Sequence, residues 1–260
     1  MAKIFIDQIS RKVELPGTPR RIVSLVPSIT ELLYDLGLYV EIRGITKFCR
    51  HPFDKGGDVV IVGGTKSLNL GRIRQIYPDL IIASKEENQK EQIEELSKHF
   101  PVWVSDVVDL SGALGMIKSI GEVTDTGEKA VQMTEAIKKG WVAVKRRFDG
   151  KALYLIWNNP AMTIGNDTYI HAVLTYMGLE NIANRYSRYP ILTDEILNSN
   201  PDYVFLSSEP FPFKEKHLKH YQKLFPNAQI ALVDGEMFSW YGSRMLIAPD
   251  YFKTFLSNSV

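Results

Sequence analysis

Residues 77–86, YPDLIIASKE, and residues 200–209, NPDYVFLSSE, share one pattern at a constant offset of 123. Each runs Pro-Asp, four apolar residues, Ser and, two positions on, Glu. A short apolar run opened by a Pro-Asp turn and closed by a polar residue reads as a buried strand. A second pair supports the first. RIVSLVPSITELLYDLGL at 21–38 and ALYLIWNNPAMTIGNDTYIHAVLTYMGL at 152–179 both pass from strand through a Pro-containing loop to a helix ending in Gly-Leu. The later copy carries ten extra loop residues. Two copies of a long repeat indicate a duplicated, two-lobed protein, whereas a solenoid needs many short ones.

Working outward, Lys3 to Leu15 alternates apolar and polar residues about a turn at Asp7 to Arg11, the pattern of a small hairpin. Arg21 to Val26 reads as a strand, with Ser28 or Thr30 available to cap a helix from Glu31 to Gly37. Further strands are expected at 44–46, 80–83, 102–104, 152–157, 203–206 and 230–233. Helices are expected at 69–77, 89–99 and 169–177, with an irregular stretch at 48–64. Strands alternating with helices imply parallel pairing with right-handed crossovers, so the fold class is α/β. From Thr124 to Phe148, Ala130, Met133, Ile137, Trp141, Val144 and Phe148 recur every three or four residues, and Gly150 follows. That period predicts one long helix, a rod of roughly 37 Å. The expected organisation is therefore an α/β lobe at 1–123 led by the hairpin, a backbone helix at 124–149 and a second α/β lobe at 150–260, each lobe Rossmann-like with a parallel sheet.

Composition narrows the function. At 260 residues with net charge +1, the chain shows no basic stripe interleaved with aromatics, which argues against nucleic-acid binding. Cys49 is the only cysteine, so neither an internal disulfide nor a cysteine zinc cluster can form. The first 25 residues lack a signal peptide's apolar core and no later run approaches 18 apolar residues, so membrane insertion is not expected. The chain is expected to be cytoplasmic unless an export signal has been removed, in which case it is periplasmic or extracellular. Phosphate-loop, dinucleotide, nucleophile-elbow and zinc-protease signatures are absent. His217 and His220 could share a helix face, but Lys214, Lys216 and Lys219 surround them and point to a solvated surface.

Ligands of parallel α/β sheets collect beyond the carboxyl ends of the strands. The loops at 26–28, 85–88, 157–162 and 207–213 should therefore converge on an inter-lobe cleft. Trp157, Tyr189, Phe238, Trp240 and Tyr241 crowd loops of this kind, and aromatics in Pro- and Gly-rich loops suit a large, flat ligand. Glu86 and Glu209 occupy equivalent repeat positions, with Glu87 beside the first. Such carboxylates could grip an amide, an ammonium or a metal-bound group, or could cap the next helices. Cys49 and His51 bracket Arg50 and could face one ligand, act as nucleophile and base, or be structural.

The segments DQISRKVELPGTPRRIVSLVPSITELLYDLG, VGGTKSLNLGRIRQIYPDLIIASKEEN and LVDGEMFSWYGSR resemble the helical-backbone (class III) substrate-binding proteins of ABC importers for vitamin B12 and ferric siderophores. The resemblance runs in order over nearly the whole chain. It implies two α/β lobes bridged by a rigid helix and a monomeric, non-catalytic protein holding a corrinoid or other metal chelate, with no cofactor of its own. By position Trp157, Tyr189, Phe238 and Trp240 resemble the aromatics around the corrin, and Arg244 falls in the C-terminal site segment. Glu91 and Glu195, with Asp194 close by, lie nearest the acidic residues that dock on the permease. Thr65-Lys66 and Ser84-Lys85 stand where vitamin B12 binders have tryptophans, and FCRHP, KEEN and SSEPFPF make the expected cleft more polar. The alternative is an enzyme on the same scaffold acting on a cofactor precursor through Cys49 and His51; a third reading is a cleft that binds a protein segment.

Overall fold

The computed structural model describes residues 2–52 and 58–255, so part of the expected irregular stretch at 48–64 lies outside the described residues. The chain divides into two compact units. The first comprises Met1–Val107, Ser111–Glu135 and Tyr241–Ser243; the second comprises Val108–Leu110, Ala136–Trp240 and Arg244–Val260.

The first unit opens with the expected hairpin, β1 (Lys3–Ile6) antiparallel to β2 (Lys12–Leu15). Its turn is built on Asp7, whose carboxylate accepts from the backbone N–H groups of Ile9 and Arg11 and from Arg11 Nε. Then follow β3 (Ile22–Ser24), α1 (Pro27–Asp35), β4 (Ile42–Ile45), β5 (Val60–Ile61), α2 (Leu70–Ile76), β6 (Leu80–Ser84), α3 (Lys90–Ser97) and β7 (Val102–Ser105). The five sheet strands are parallel in the order β5-β4-β3-β6-β7. α1 starts earlier than the sequence suggested: Pro27 opens it and Val26 is the N-cap, so neither Ser28 nor Thr30 caps it. Proline suits the first helical turn because its missing N–H would have no intrahelical partner there.

α4 (Leu110–Val123), a helix the sequence did not suggest, precedes α5 (Gly127–Trp141), which forms the middle part of the helix expected from Thr124 to Phe148. Asp125 takes a left-handed backbone with φ 61° and breaks the path between them, while a 3-10 turn at Val142–Val144 ends the second. Gly121 of α4 packs against the Ala130 side chain of α5, an approach that a Cβ at 121 would block. The division between units passes through α5, between Glu135 and Ala136.

In the second unit, β8 (Lys151–Asn158), β9 (Ala161–Thr163), α6 (Tyr169–Met177), β10 (Glu180–Asn181), α7 (Asp194–Leu197), β11 (Tyr203–Ser207), α8 (Glu215–Leu224), β12 (Gln229–Val233), α9 (Gly235–Ser239) and α10 (Ala248–Thr254) follow in order. The parallel order is β10-β8-β11-β12, and β9 folds back antiparallel on β8. β9 uses the additional loop residues of the second copy.

The duplication holds at the level of register. Ile22 pairs with Leu80 and Val23 with Ile81; Ala152 pairs with Tyr203 and Leu153 with Val204. Asp79 accepts from the N–H groups of Arg20 and Arg21, and Asp202 from that of Lys151, so the repeated Pro-Asp ties each central strand to its neighbour. Each sheet covers its own apolar cluster, one around Val23, Ile81 and Val104, the other around Leu153, Val204 and Leu206.

Candidate functional site

The carboxyl ends of β6 and β11 carry the same device. Ser84 Oγ accepts from the Glu86 N–H at 3.1 Å, and Ser207 Oγ accepts from the Glu209 N–H at 3.3 Å. Each serine also meets a buried phenol: Ser84 lies 3.2 Å from Tyr241 Oη, and Tyr154 Oη donates to Ser207 at 3.0 Å. Burial pushes both phenols above their ordinary pKa, so they are neutral.

In the second unit the turn after Ser207 delivers Glu209 to a built setting. Its Oε1 accepts from Ser239 Oγ at 2.7 Å and from Trp240 Nε1 at 2.8 Å. A Cβ on Gly235 would collide with Ser207 Oγ and stand 2.6 Å from Glu209 Cγ, so glycine there makes room for the glutamate. Desolvation raises the Glu209 carboxyl above the usual range; the two hydrogen bonds oppose this, and the negative charges of Glu236 and Asp234 add to it. Arg244 Nη2 reaches Glu236 at 3.4 Å while its guanidinium lies 5.2 Å from the Trp240 ring centre.

Trp157, at the end of β8, is 40% exposed and packs edge-on against Phe211 with centroids 5.7 Å apart. The Phe211 N–H donates to Ile156 O, which fixes the loop bearing Glu209 beside the strand bearing Trp157. Tyr189 is half-buried under the Arg188 guanidinium, 5.7 Å away. Phe238 is a correction: it is 0% exposed, enclosed by Tyr154, Phe252 and Phe255, and serves as core. Trp240 is 8% exposed, and its indole N–H holds Glu209. It positions the carboxylate where the sequence suggested a stacking wall.

In the first unit Glu86 and Glu87 are half-buried at the head of the loop, and Lys66 Nζ donates to Glu86 O at 2.7 Å. Asn88, which the sequence did not single out, fastens this loop: its side chain accepts from the Ser84 N–H and donates to Leu25 O and Thr65 O. Tyr241 is buried against Ser84, so its expected role as an open ligand wall is corrected to a strut. Cys49 fits the structural alternative that the sequence left open. It is 1% exposed, with Sγ 3.2 Å from Thr30 Oγ1 and 3.3 Å from Thr46 Oγ1. His51 remains partly exposed in the following loop.

Glu91 is exposed in the first turn of α3. Glu195, also exposed, pairs with Arg185 at 3.1 Å and accepts from Tyr186 Oη at 3.0 Å. His217 lies on α8, where its Nδ1 accepts from the Lys214 N–H and its ring packs on Phe211 and Phe213. Among the described residues no cluster of histidine, cysteine and carboxylate side chains is arranged to hold a metal ion, and no helix is long and apolar enough to cross a membrane.

Comparison with known proteins agrees with this architecture. The vitamin B12-binding protein of Vibrio campbellii is 24% identical over 198 residues, which covers 74% of this chain and 72% of that protein. An uncharacterized ABC transporter substrate-binding lipoprotein of Bacillus subtilis is 26% identical over 211 residues, covering 76% and 67%. The crystal structure of a possible iron-binding, periplasmic solute-binding protein from Staphylococcus epidermidis superposes with a TM-score of 0.77 at 22% identity, over 92% of this chain and 99% of that one. The family model described as periplasmic binding protein matches residues 22–228. With Cys49 enclosed and the match to a substrate-binding family, the enzyme alternative is set aside. The chain belongs to the periplasmic binding protein family, as a non-enzymatic substrate-binding protein.

Proposed function

We propose that the protein is the substrate-binding component of an ABC importer and that it holds a corrinoid or another flat metal chelate at the carboxyl ends of its strands. The observation that carries this reading is Trp157: a tryptophan left 40% exposed at a strand end, braced edge-on by Phe211. An aromatic face of this kind offers a macrocycle a large apolar contact whose orientation is already fixed, which lowers the ordering cost of binding. The names of the Vibrio and Staphylococcus relatives, a vitamin B12 binder and a possible iron binder, support a metal chelate as ligand. The lipoprotein from Bacillus supports the transporter assignment and a location outside the cytoplasmic membrane. Glu91 and Glu195 are then the carboxylates proposed to meet a permease.

Gel-filtration desalting of the purified protein with cyanocobalamin, haemin or a ferric siderophore tests this directly. Co-elution of one chelate with wild type and its loss in Trp157→Ala is the expected result. Passage of all three chelates unbound through wild type contradicts the reading.

A further inference from the structure

Glu209 is prepared in a way that a surface carboxylate is not. Its backbone is locked by Ser207, whose Oγ accepts from the Glu209 N–H and donates to the Glu209 carbonyl at 2.6 Å. Its side chain lies in the space left by Gly235. One carboxylate oxygen, Oε1, already receives two N–H or O–H donors, from Trp240 and Ser239. The other, Oε2, accepts no hydrogen bond among the described residues.

Trp157 provides a second, independent observation, because the exposed aromatic face sits on the strand to which the Glu209 loop is fastened through Phe211. An apolar face on one strand and a preset acceptor on the loop fastened to that strand match a ligand that is flat in the middle and bears donors at its edge. The charges around Glu209 point the same way. Asp234 and Glu236 stand on the following turn, Tyr154 and Tyr251 present neutral phenols, and the cation Arg244 is engaged with Glu236. A ligand edge carrying carboxylates would meet like charge at partly desolvated groups; an edge of carboxamides or an ammonium would meet an acceptor.

We infer that Glu209 selects the ligand by its rim: the second unit takes a chelate edged with N–H donors, such as a carboxamide-bearing corrin, and rejects the same ring edged with carboxylates. The inference rests on the proposed function and narrows it to one chemical class.

The test uses two probes that share a ring: cyanocobalamin, and a corrin whose side-chain amides are free carboxylic acids. Both are titrated calorimetrically at pH 7.5 into wild type and Glu209→Gln. Glutamine keeps an oxygen for Trp240 and Ser239 and puts an N–H donor where Oε2 stood. Wild type is expected to bind the amide form at least about tenfold more tightly, and the variant to narrow that ratio by about tenfold, partly through a gain for the acid form. Tighter binding of the acid form by the variant also shows that it is folded. An unchanged ratio in Glu209→Gln overturns the role of Glu209 while leaving the chelate reading intact. Failure of wild type to bind either corrin overturns the corrinoid reading and this inference with it.

Discussion

Trp240 Nε1 and Glu209 Oε1 are 2.8 Å apart, so an indole that the sequence offers as a ligand wall acts instead to aim a carboxylate. The arrangement joins the turn after β11 to the end of α9, and it keeps charge in a setting where burial disfavours it. The consequence is measurable without any ligand.

Glu209→Gln should be more stable than wild type at neutral pH. The folded carboxyl titrates above its unfolded value of about 4.3, so between those two points the folded state binds more protons. Stability from this group is present at low pH and lost as pH rises through that window. Thermal unfolding should place the variant about 2 °C above wild type at pH 7.5, with the gap closing by about pH 4. A gap that does not change with pH would disprove the assigned cause.

Gly235→Ala should loosen the same site by steric means. The new methyl must displace Ser207 Oγ and Glu209 Cγ, the latter 2.6 Å away. The expected cost is about 1–3 kcal/mol in urea unfolding, as for other overpacked positions. A stability equal to wild type would show that the turn after Ser207 moves freely.

Asp7 anchors the N-terminal hairpin, and its effect should be large for one surface turn. Its carboxylate is buried and accepts from Ile9, Arg11 and, at 3.3 Å, the Val104 N–H of the neighbouring sheet strand. Asp7→Ala leaves those donors without an acceptor and should lower stability by about 3 kcal/mol, read from the urea midpoint. A loss below about 0.5 kcal/mol would mean that the hairpin contributes little to the fold.

Much of this architecture is legible in the sequence. The repeated Pro-Asp, apolar run and Ser-x-Glu locate both central strands and the turns after them, because those turns are made by residues adjacent in sequence. The bounds of α6 are also visible, since Thr168 caps its start and Gly178, at φ 100°, ends it. α4 is harder to see: Gly112, Gly115 and Gly121 depress its helix propensity, and only the buried face of Ala113, Met116, Ile117 and Ile120 sustains it. α5 starts later than the sequence suggests because Asp125, left-handed at φ 61°, lies ahead of the apolar period that begins at Ala130, and that period carries no signal for where the helix starts. At the site, Glu209 is visible through the repeat, whereas Gly235, Ser239 and Trp240 acquire their roles only when β11 and β12 pair in parallel and bring the turns after them together. Phe238 and Tyr241 mislead for the same reason, since the depth of an aromatic is set by distant partners.

Those buried phenols give another prediction. Tyr154 and Tyr241 hydrogen-bond to serines and are held above their ordinary pKa by burial. Ultraviolet titration should show at least two tyrosines that do not ionise near pH 10 in the folded protein and do so in one step with alkaline unfolding. All tyrosines ionising before loss of circular dichroism would contradict the burial of both.

The most direct test of the central claim is the affinity of cyanocobalamin, haemin and a ferric siderophore for wild type and Trp157→Ala, measured by equilibrium dialysis with melting curves alongside. The account predicts that wild type binds one of these chelates and that the alanine variant binds it at least about tenfold more weakly at an unchanged melting temperature. Equal affinity in the two proteins would remove Trp157 from the site, and no binding of any chelate by wild type would contradict the claim itself.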